Sequence, residues 1–273
     1  MNKSFAIIGN PIAHSLSPIL QNYWLEKYKI KATYSLLNVS ETEITKVVEK
    51  IRSKELSGIN ITLPYKQKII PFVDELVNEA KSTNSVNTVF LNEDGKLIGE
   101  NTDVYGLQAA YLKKIPQIEN KKALVIGAGG VSPSVIFSLF KSKVKYIAII
   151  NRTLEKAIFL KKKFNFLNVI EWKYLEKELK NFDIIINATS LGLKEGEDFN
   201  FNFQGIRESS IFIDTIYNPL ETKTIKYLKS NNIKTYNGLE MLIYQGQKSF
   251  YIWNKINPEI DNELIDLLRS HIK

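Results

Sequence analysis

Ala123-Leu124-Val125-Ile126-Gly127-Ala128-Gly129-Gly130 decides the fold. Four consecutive apolar residues read as a strand buried on both faces, the mark of a parallel sheet. Gly127 allows the tight turn that follows, and Gly129 lets a backbone approach a pyrophosphate. The helix opening beyond supplies N–H donors and a positive dipole end. Ala128, Gly130 and Val131 complete the turn. Ser132 takes the third motif position, where Gly or Ala is usual, and is small enough to keep helix and strand close. Pro133 fits the first helical turn.

Downstream, a helix to about residue 140 leads into a strand over 146–150. That strand ends in Asn151-Arg152-Thr153, with Lys156 one helical turn on. Enzymes that use NAD place Asp or Glu here to hold the ribose 2′-hydroxyl. Arg152 and Lys156 instead attract a 2′-phosphate, which Arg binds bidentately. Asn151 and Thr153 add hydrogen bonds and a helix cap. The spacing from Gly127 therefore predicts NADP. A helix over 154–164 and further apolar strands over 183–186 and 211–214 continue the alternation, as in a doubly wound parallel sheet of Rossmann type.

Upstream the pattern is again α/β, with strands over 5–8, 33–37 and 57–62. Ser17-Pro18 opens a helix, with Ser17 as its cap. Ser40-Glu41-Thr42-Glu43 has the form of a capping box. A helix is expected over 71–80. Asn92-Glu93-Asp94-Gly95 is a hairpin turn between strands over 87–90 and 96–99. A helix over 104–114 crosses into the second half, and the chain ends in helices over 239–250 and 258–270. The expected plan is two domains. Residues 1–101 with 238–273 form the first, which binds substrate; residues 102–237 form the second, which binds NADP.

The bulk numbers narrow the choice. The 273 residues are 44% hydrophobic and 24% charged, as in an ordinary globular chain. There is no cysteine, which excludes disulfides and thiolate metal sites. His14 and His271 have no ligand-like spacing, so no metal is expected. The net charge is +8, but the lysines alternate with glutamates along helix-like segments such as 171–180. A solvated surface explains them better than a nucleic-acid stripe. No apolar run approaches a membrane span or a signal-peptide core, so a cytoplasmic protein is expected.

Three polar segments carry chemistry. Ser15 and Ser17 lie beside a helix start, a setting that suits a carboxylate. Gly58-Ile59-Asn60-Ile61-Thr62-Leu63-Pro64-Tyr65-Lys66 offers an amine, and Gly99-Glu100-Asn101-Thr102-Asp103 a carboxylate. Hydride delivery to a ketone builds negative charge on oxygen, which an ammonium group stabilises and protonates. The reverse oxidation needs the neutral amine, so that direction gains at higher pH. Lys66 fits the role, with Asp103 orienting it.

Taken together the segments resemble the shikimate dehydrogenase family. Matching stretches run in the family's order over nearly the whole chain: residues 9–22, 58–66, 85–88, 99–103, 127–130, 151–153, 187–190, 214–219 and 238–245. The resemblance implies NADPH-dependent reduction of 3-dehydroshikimate to shikimate, and its reverse, in chorismate and aromatic amino-acid biosynthesis. It also implies a cleft between two domains and small-molecule partners; no nucleic acid or membrane partner is expected, and the sequence leaves monomer or homodimer open. By the same resemblance Lys66 and Asp103 are the catalytic pair. Ser15 and Ser17 hold the substrate carboxylate, and Thr62, Asn87, Tyr217 and Gln245 contact the substrate. Thr215 and Gly238 meet the nicotinamide, while Asn151, Arg152, Thr153 and Lys156 take the 2′-phosphate.

Two departures stand out. Asn84-Ser85 replaces the usual Gly-Ala. Val131-Ser132-Pro133-Ser134 replaces an Ala-rich run carrying an Arg. The main alternative is a quinate/shikimate dehydrogenase with broader substrate and cofactor use. A methylene-tetrahydrofolate dehydrogenase shares the plan, but paired serines with Thr62 and Asn87 fit a polyhydroxy acid better than a pterin. A regulatory NADP-binding protein would lack the intact Lys66–Asp103 pair.

Overall fold

The structure, a computed structural model, describes residues 3–194, 196–201 and 203–272. They form two compact units: residues 3–106 with Ile243–His271, and Leu107–Leu242 with Ile272.

The first unit begins with β1 (Lys3–Gly9), α1 (Ser17–Lys27), β2 (Ala32–Asn38), α2 (Ile44–Arg52) and β3 (Gly58–Ile61). It continues with β4 (Glu75–Leu76), α3 (Asn78–Thr83), β5 (Thr88–Leu91), β6 (Leu97–Glu100) and the start of α4 (Asp103–Ala110). The sheet order is β2-β1-β3-β5-β6-β4. β1 is parallel to β2 and β3, while β3–β5 and β5–β6 are antiparallel. One face buries Ile8, Ile44, Ile51, Ile59, Val89 and Leu97 in an aliphatic core.

The second unit holds β7 (Lys122–Ile126), α5 (Ser132–Lys141), β8 (Tyr146–Asn151), α6 (Leu154–Lys163), β9 (Asn168–Glu171) and α7 (Leu175–Glu178). Then come β10 (Ile184–Asn187), β11 (Ile211–Asp214), α8 (Lys223–Ser230) and β12 (Lys234–Tyr236). All its strands are parallel, in the order β12-β11-β10-β7-β8-β9. The strand order therefore reverses between β7 and β10, and ligands of such sheets bind at this switch point, beyond the strand carboxyl ends.

α9 (Leu239–Asn254) carries the chain out of the second unit, and α10 (Asn262–Ser270) ends it. The part of α9 in the first unit packs by aromatic contact, with Trp253 stacked on Phe5 at 4.8 Å and Phe250 edge-on to Trp24 at 5.7 Å.

Three local expectations need correction. Ser17 is not the α1 cap. Leu16 holds that position, and Ser17 is the first helical residue, its N–H reaching Ser15 Oγ at 3.3 Å. The helix expected over 71–80 is a 3₁₀ turn (Ile70–Phe72), the two-residue β4 and the short α3. The segment is drawn to the sheet edge, where Asp74 N–H pairs with Leu97 O at 2.8 Å and Val77 N–H with Gly99 O at 3.0 Å. The crossover helix stops at Ala110 and tightens into a 3₁₀ turn over Leu112–Lys114. The strands β4, β9 and β12 and the helices α7 and α8 were not expected. No helix among the described residues is long and apolar enough to cross a membrane.

Candidate active site

Lys66 follows the buried β3 through a turn that the fold holds on both sides. Tyr65 is buried and donates its hydroxyl to Val39 O at 2.7 Å, while Lys66 O accepts the Val86 N–H at 2.8 Å. The amine emerges beside the first turn of α4. Lys66 Nζ lies 2.6 Å from Asp103 Oδ2, with 11% and 7% of the two side chains exposed. An ion pair this dry depends on hydrogen bonds to its remaining atoms. Asn87 supplies one, donating Nδ2 to Asp103 Oδ1 at 2.9 Å.

Asn87 is the hub of the cluster. Its Oδ1 accepts the Thr102 N–H at 2.8 Å, and its Nδ2 also reaches Thr102 Oγ1 at 2.9 Å. Gln245 Oε1 lies 3.4 Å from the same nitrogen. Beneath, the buried Asn60 donates to Asn87 O, Thr88 Oγ1 and Ser249 Oγ, each at 3.0 Å, and accepts from Tyr34 OH at 2.8 Å. Tyr34 is held well above its ordinary pKa by burial, against a hydrogen bond with Ser17. One buried polar network thus runs from Ser17 to Asp103. Glu100, next to it on β6, is raised by burial and held partly down by Asn78 Nδ2 at 3.1 Å.

Of the substrate residues read from the sequence, the first unit brings Lys66, Asp103, Asn87 and Gln245 into direct contact. Thr62 is half-buried at the end of β3, where its N–H donates to Ile8 O at 3.0 Å. Ser15 and Ser17 sit at the start of α1, and Tyr217 is half-buried on the turn after β11 in the second unit. Asn60, Thr88 and Ser249 were missed. Asn60 and Thr88 stand inside the quoted stretches 58–66 and 85–88 with no role assigned to them, and Ser249 is one helical turn from Gln245 on α9. That spacing was the available signal.

In the second unit Gly127 has φ +109°, and a Cβ there would lie 2.6 Å from Thr189 Cγ2 and 3.0 Å from the Ala188 carbonyl. Only glycine fits. At Gly129 a Cβ would meet nothing closer than Ala188 O at 3.7 Å. The protein's own packing does not require that glycine, and the open space suits a pyrophosphate. Ser132 does more than keep helix and strand close. Its buried hydroxyl accepts the Gly129 N–H and donates to Gly127 O, both at 2.9 Å. Ala128 N–H donates to Asn151 Oδ1 at 3.0 Å, and Asn151 Nδ2 to Thr153 O at 2.7 Å. Asn151 therefore joins the two βα turns. Thr153 occupies the α6 cap position without a cap hydrogen bond from its side chain. Arg152 and Lys156 are exposed, while Gly130 and Val131 are half-buried at the head of α5. Gly238 lies against Thr215, where a Cβ would come within 2.3 Å of Thr215 O.

Residues 7–89 match the family described as shikimate dehydrogenase substrate binding domain, and residues 110–219 the shikimate / quinate 5-dehydrogenase family. The NADP(+) shikimate dehydrogenase of Pelagibacter ubique is 49% identical over 268 residues, covering 98% of this chain and 99% of that protein. The crystal structure of shikimate dehydrogenase from Aquifex aeolicus has a TM-score of 0.89 at 35% identity, covering 99% of this chain and 97% of that one. The Thermus thermophilus enzyme, solved in complex with NADP(H) and shikimate, has a TM-score of 0.89 at 29% identity, covering 99% and 100%.

Proposed function

The chain belongs to the shikimate dehydrogenase family, and from that premise we propose that it interconverts 3-dehydroshikimate and shikimate with NADP(H). The observation that carries the reading is the dry Lys66–Asp103 pair, held by Asn87 in the unit that matches the family's substrate binding domain. Residues 1–101 with 238–273 are proposed to bind substrate, and residues 102–237 the dinucleotide.

The residues present suit the cofactor. Open space at Gly129 admits a pyrophosphate beside the α5 N-terminus, and Arg152 and Lys156 offer exposed cations for a 2′-phosphate. Thr215 and Gly238 are assigned to the nicotinamide end. When bound, the reduced nucleotide supplies a hydride. Lys66 donates the proton to the carbonyl oxygen and stabilises the charge that develops there. Asp103 orients the ammonium and accepts a ring hydroxyl. Ser15 and Ser17 hold the substrate carboxylate, while Thr62, Asn87, Tyr217 and Gln245 contact the ring. A pocket built for hydroxyls discriminates strongly, because analogues lacking them leave its own polar groups unpaired. On this reading the protein is a cytoplasmic monomer or homodimer acting on small molecules.

The test is absorbance at the nicotinamide band, with shikimate or quinate as substrate and NADP or NAD as oxidant. Fastest turnover with shikimate and NADP is expected. Turnover on quinate equal to that on shikimate would replace the reading with the broader dehydrogenase.

A further inference from the structure

Asp214 ends β11, is fully buried, and has no part in the roles described above. Its Oδ1 accepts Asn187 Nδ2 at 3.0 Å and the Ile216 N–H at 3.1 Å, and its Oδ2 accepts the Thr222 hydroxyl at 3.0 Å. Thr222 caps α8 by accepting the Ile225 N–H at 3.3 Å, so its single proton is free to point at Asp214. Asn187 is equally buried. Its Oδ1 accepts both the N–H and the hydroxyl of Thr189, at 3.0 and 2.7 Å. Ala188 and Thr189 are the residues that back Gly127.

The chain of contacts therefore starts at the glycine turn and passes through Thr189, Asn187 and Asp214. It ends on Ile216, between Thr215 and Tyr217, and on the cap of α8. Three donors converge on Asp214, and a carboxylate is the side chain that accepts all three and offers no competing proton. Burial pushes its pKa up to about 6 against those same hydrogen bonds. Tyr111, raised chiefly by burial, is one titratable group that its charge reaches. A buried carboxylate is costly even when hydrogen-bonded, and such groups gather at functional sites.

We propose that Asp214 is a positioning residue of the dinucleotide site: through Ile216 and Thr222 it sets the turn carrying Thr215 and Tyr217, and through Asn187 it ties that turn to the segment behind Gly127. The proposal rests on the assignment of this unit to NADP. Asp214 acts through the backbone it holds and touches neither reacting atom. Thr222→Val removes the donor to Asp214 together with the α8 cap and keeps the carboxylate, whereas Thr222→Ser keeps both the donor and the cap.

The experiment is titration of NADPH fluorescence with the full chain, as wild type, Asp214→Asn, Thr222→Val and Thr222→Ser. Each variant is also unfolded in urea without ligand. Asp214→Asn and Thr222→Val should weaken NADPH binding about tenfold, the scale of one hydrogen bond to a charged group. Thr222→Ser should keep the wild-type dissociation constant. A purely structural role would lower the unfolding midpoint and leave the folded protein's NADPH affinity unchanged, which overturns the proposal. Equal weakening in Thr222→Ser and Thr222→Val also overturns it. If Asp214→Asn does not fold, the two Thr222 variants decide alone. A wild type that binds no NADPH removes the cofactor assignment itself, an outcome distinct from failure of the variants.

Discussion

Lys66 Nζ and Asp103 Oδ2 lie 2.6 Å apart although 37 residues separate them in sequence. Asn87 holds the other carboxylate oxygen at 2.9 Å, so the protein's own side chains fix the carboxylate from two sides. Fixed donors and acceptors of this kind favour a transition state because they need no reorganisation when charge develops.

Lys66→Ala should lose about 10²- to 10⁴-fold in kcat, the range expected for a positioned general acid. KM for shikimate should change far less, because Ser15, Ser17 and Thr62 remain. Steady-state kinetics in the oxidation direction measures both. Near-normal turnover in a folded variant removes Lys66 from the chemistry.

Arg152→Glu should reverse the charge that meets a 2′-phosphate while leaving the glycine turn untouched. A charge-assisted hydrogen bond is worth about 1.5–3 kcal/mol, so kcat/KM for NADP should fall roughly 10- to 100-fold. The value for NAD should hold or rise. The ratio of the two, measured on one preparation, cancels any loss of active protein. An unchanged ratio would move the 2′-phosphate site elsewhere.

The parts of this molecule legible in the sequence are those whose cause is local. β7 carries the apolar run Ala123–Ile126, Gly127 follows it, and Asn92-Glu93-Asp94-Gly95 turns the β5–β6 hairpin as its composition requires, with Gly95 at φ +77°. β4 and β12 are two and three residues long, too short to show a period, and exist because a neighbouring strand offers hydrogen bonds. α8 was readable, since Thr222 caps it and Ile225 and Leu228 share its buried face. In the site, Lys66 and Asp103 stood out by type and order. Asn60 and Asp214 did not, because most of their partners lie in other elements and only folding brings those donors and acceptors together; Ser132 was legible by its small size, but its two bonds within the glycine turn depend on the shape that turn takes.

Ser132→Ala should loosen the cofactor turn. The hydroxyl takes the Gly129 N–H and gives its proton to Gly127 O. Alanine removes both bonds without adding bulk, at a cost of about 1 kcal/mol net per hydrogen bond. Urea unfolding should show that loss, and the NADPH dissociation constant should rise several-fold. Unchanged stability together with unchanged affinity would show that the turn is set by Gly127 and Pro133 alone.

Asp214 makes a signed prediction about pH. Its carboxyl is raised from 3.8 to about 6, with burial the largest cause. A group raised in this way binds its proton more tightly in the folded chain. Between about pH 4 and pH 6 the native state holds a proton that the unfolded state has released, so stability falls as pH rises through that window. The full difference between 3.8 and about 6 amounts to about 3 kcal/mol. Asp74, Glu43 and Glu221 are lowered by their partners and slope the other way, so the wild-type curve alone does not isolate Asp214. The difference between wild type and Asp214→Asn does, because the exposed carboxylates are common to both. Urea unfolding at pH 4.5, 5.5 and 6.5 should show the wild type losing ground to the variant at each step. A constant difference across the three pH values would mean that Asp214 stays ionised throughout, and that its three hydrogen bonds outweigh the burial opposing them.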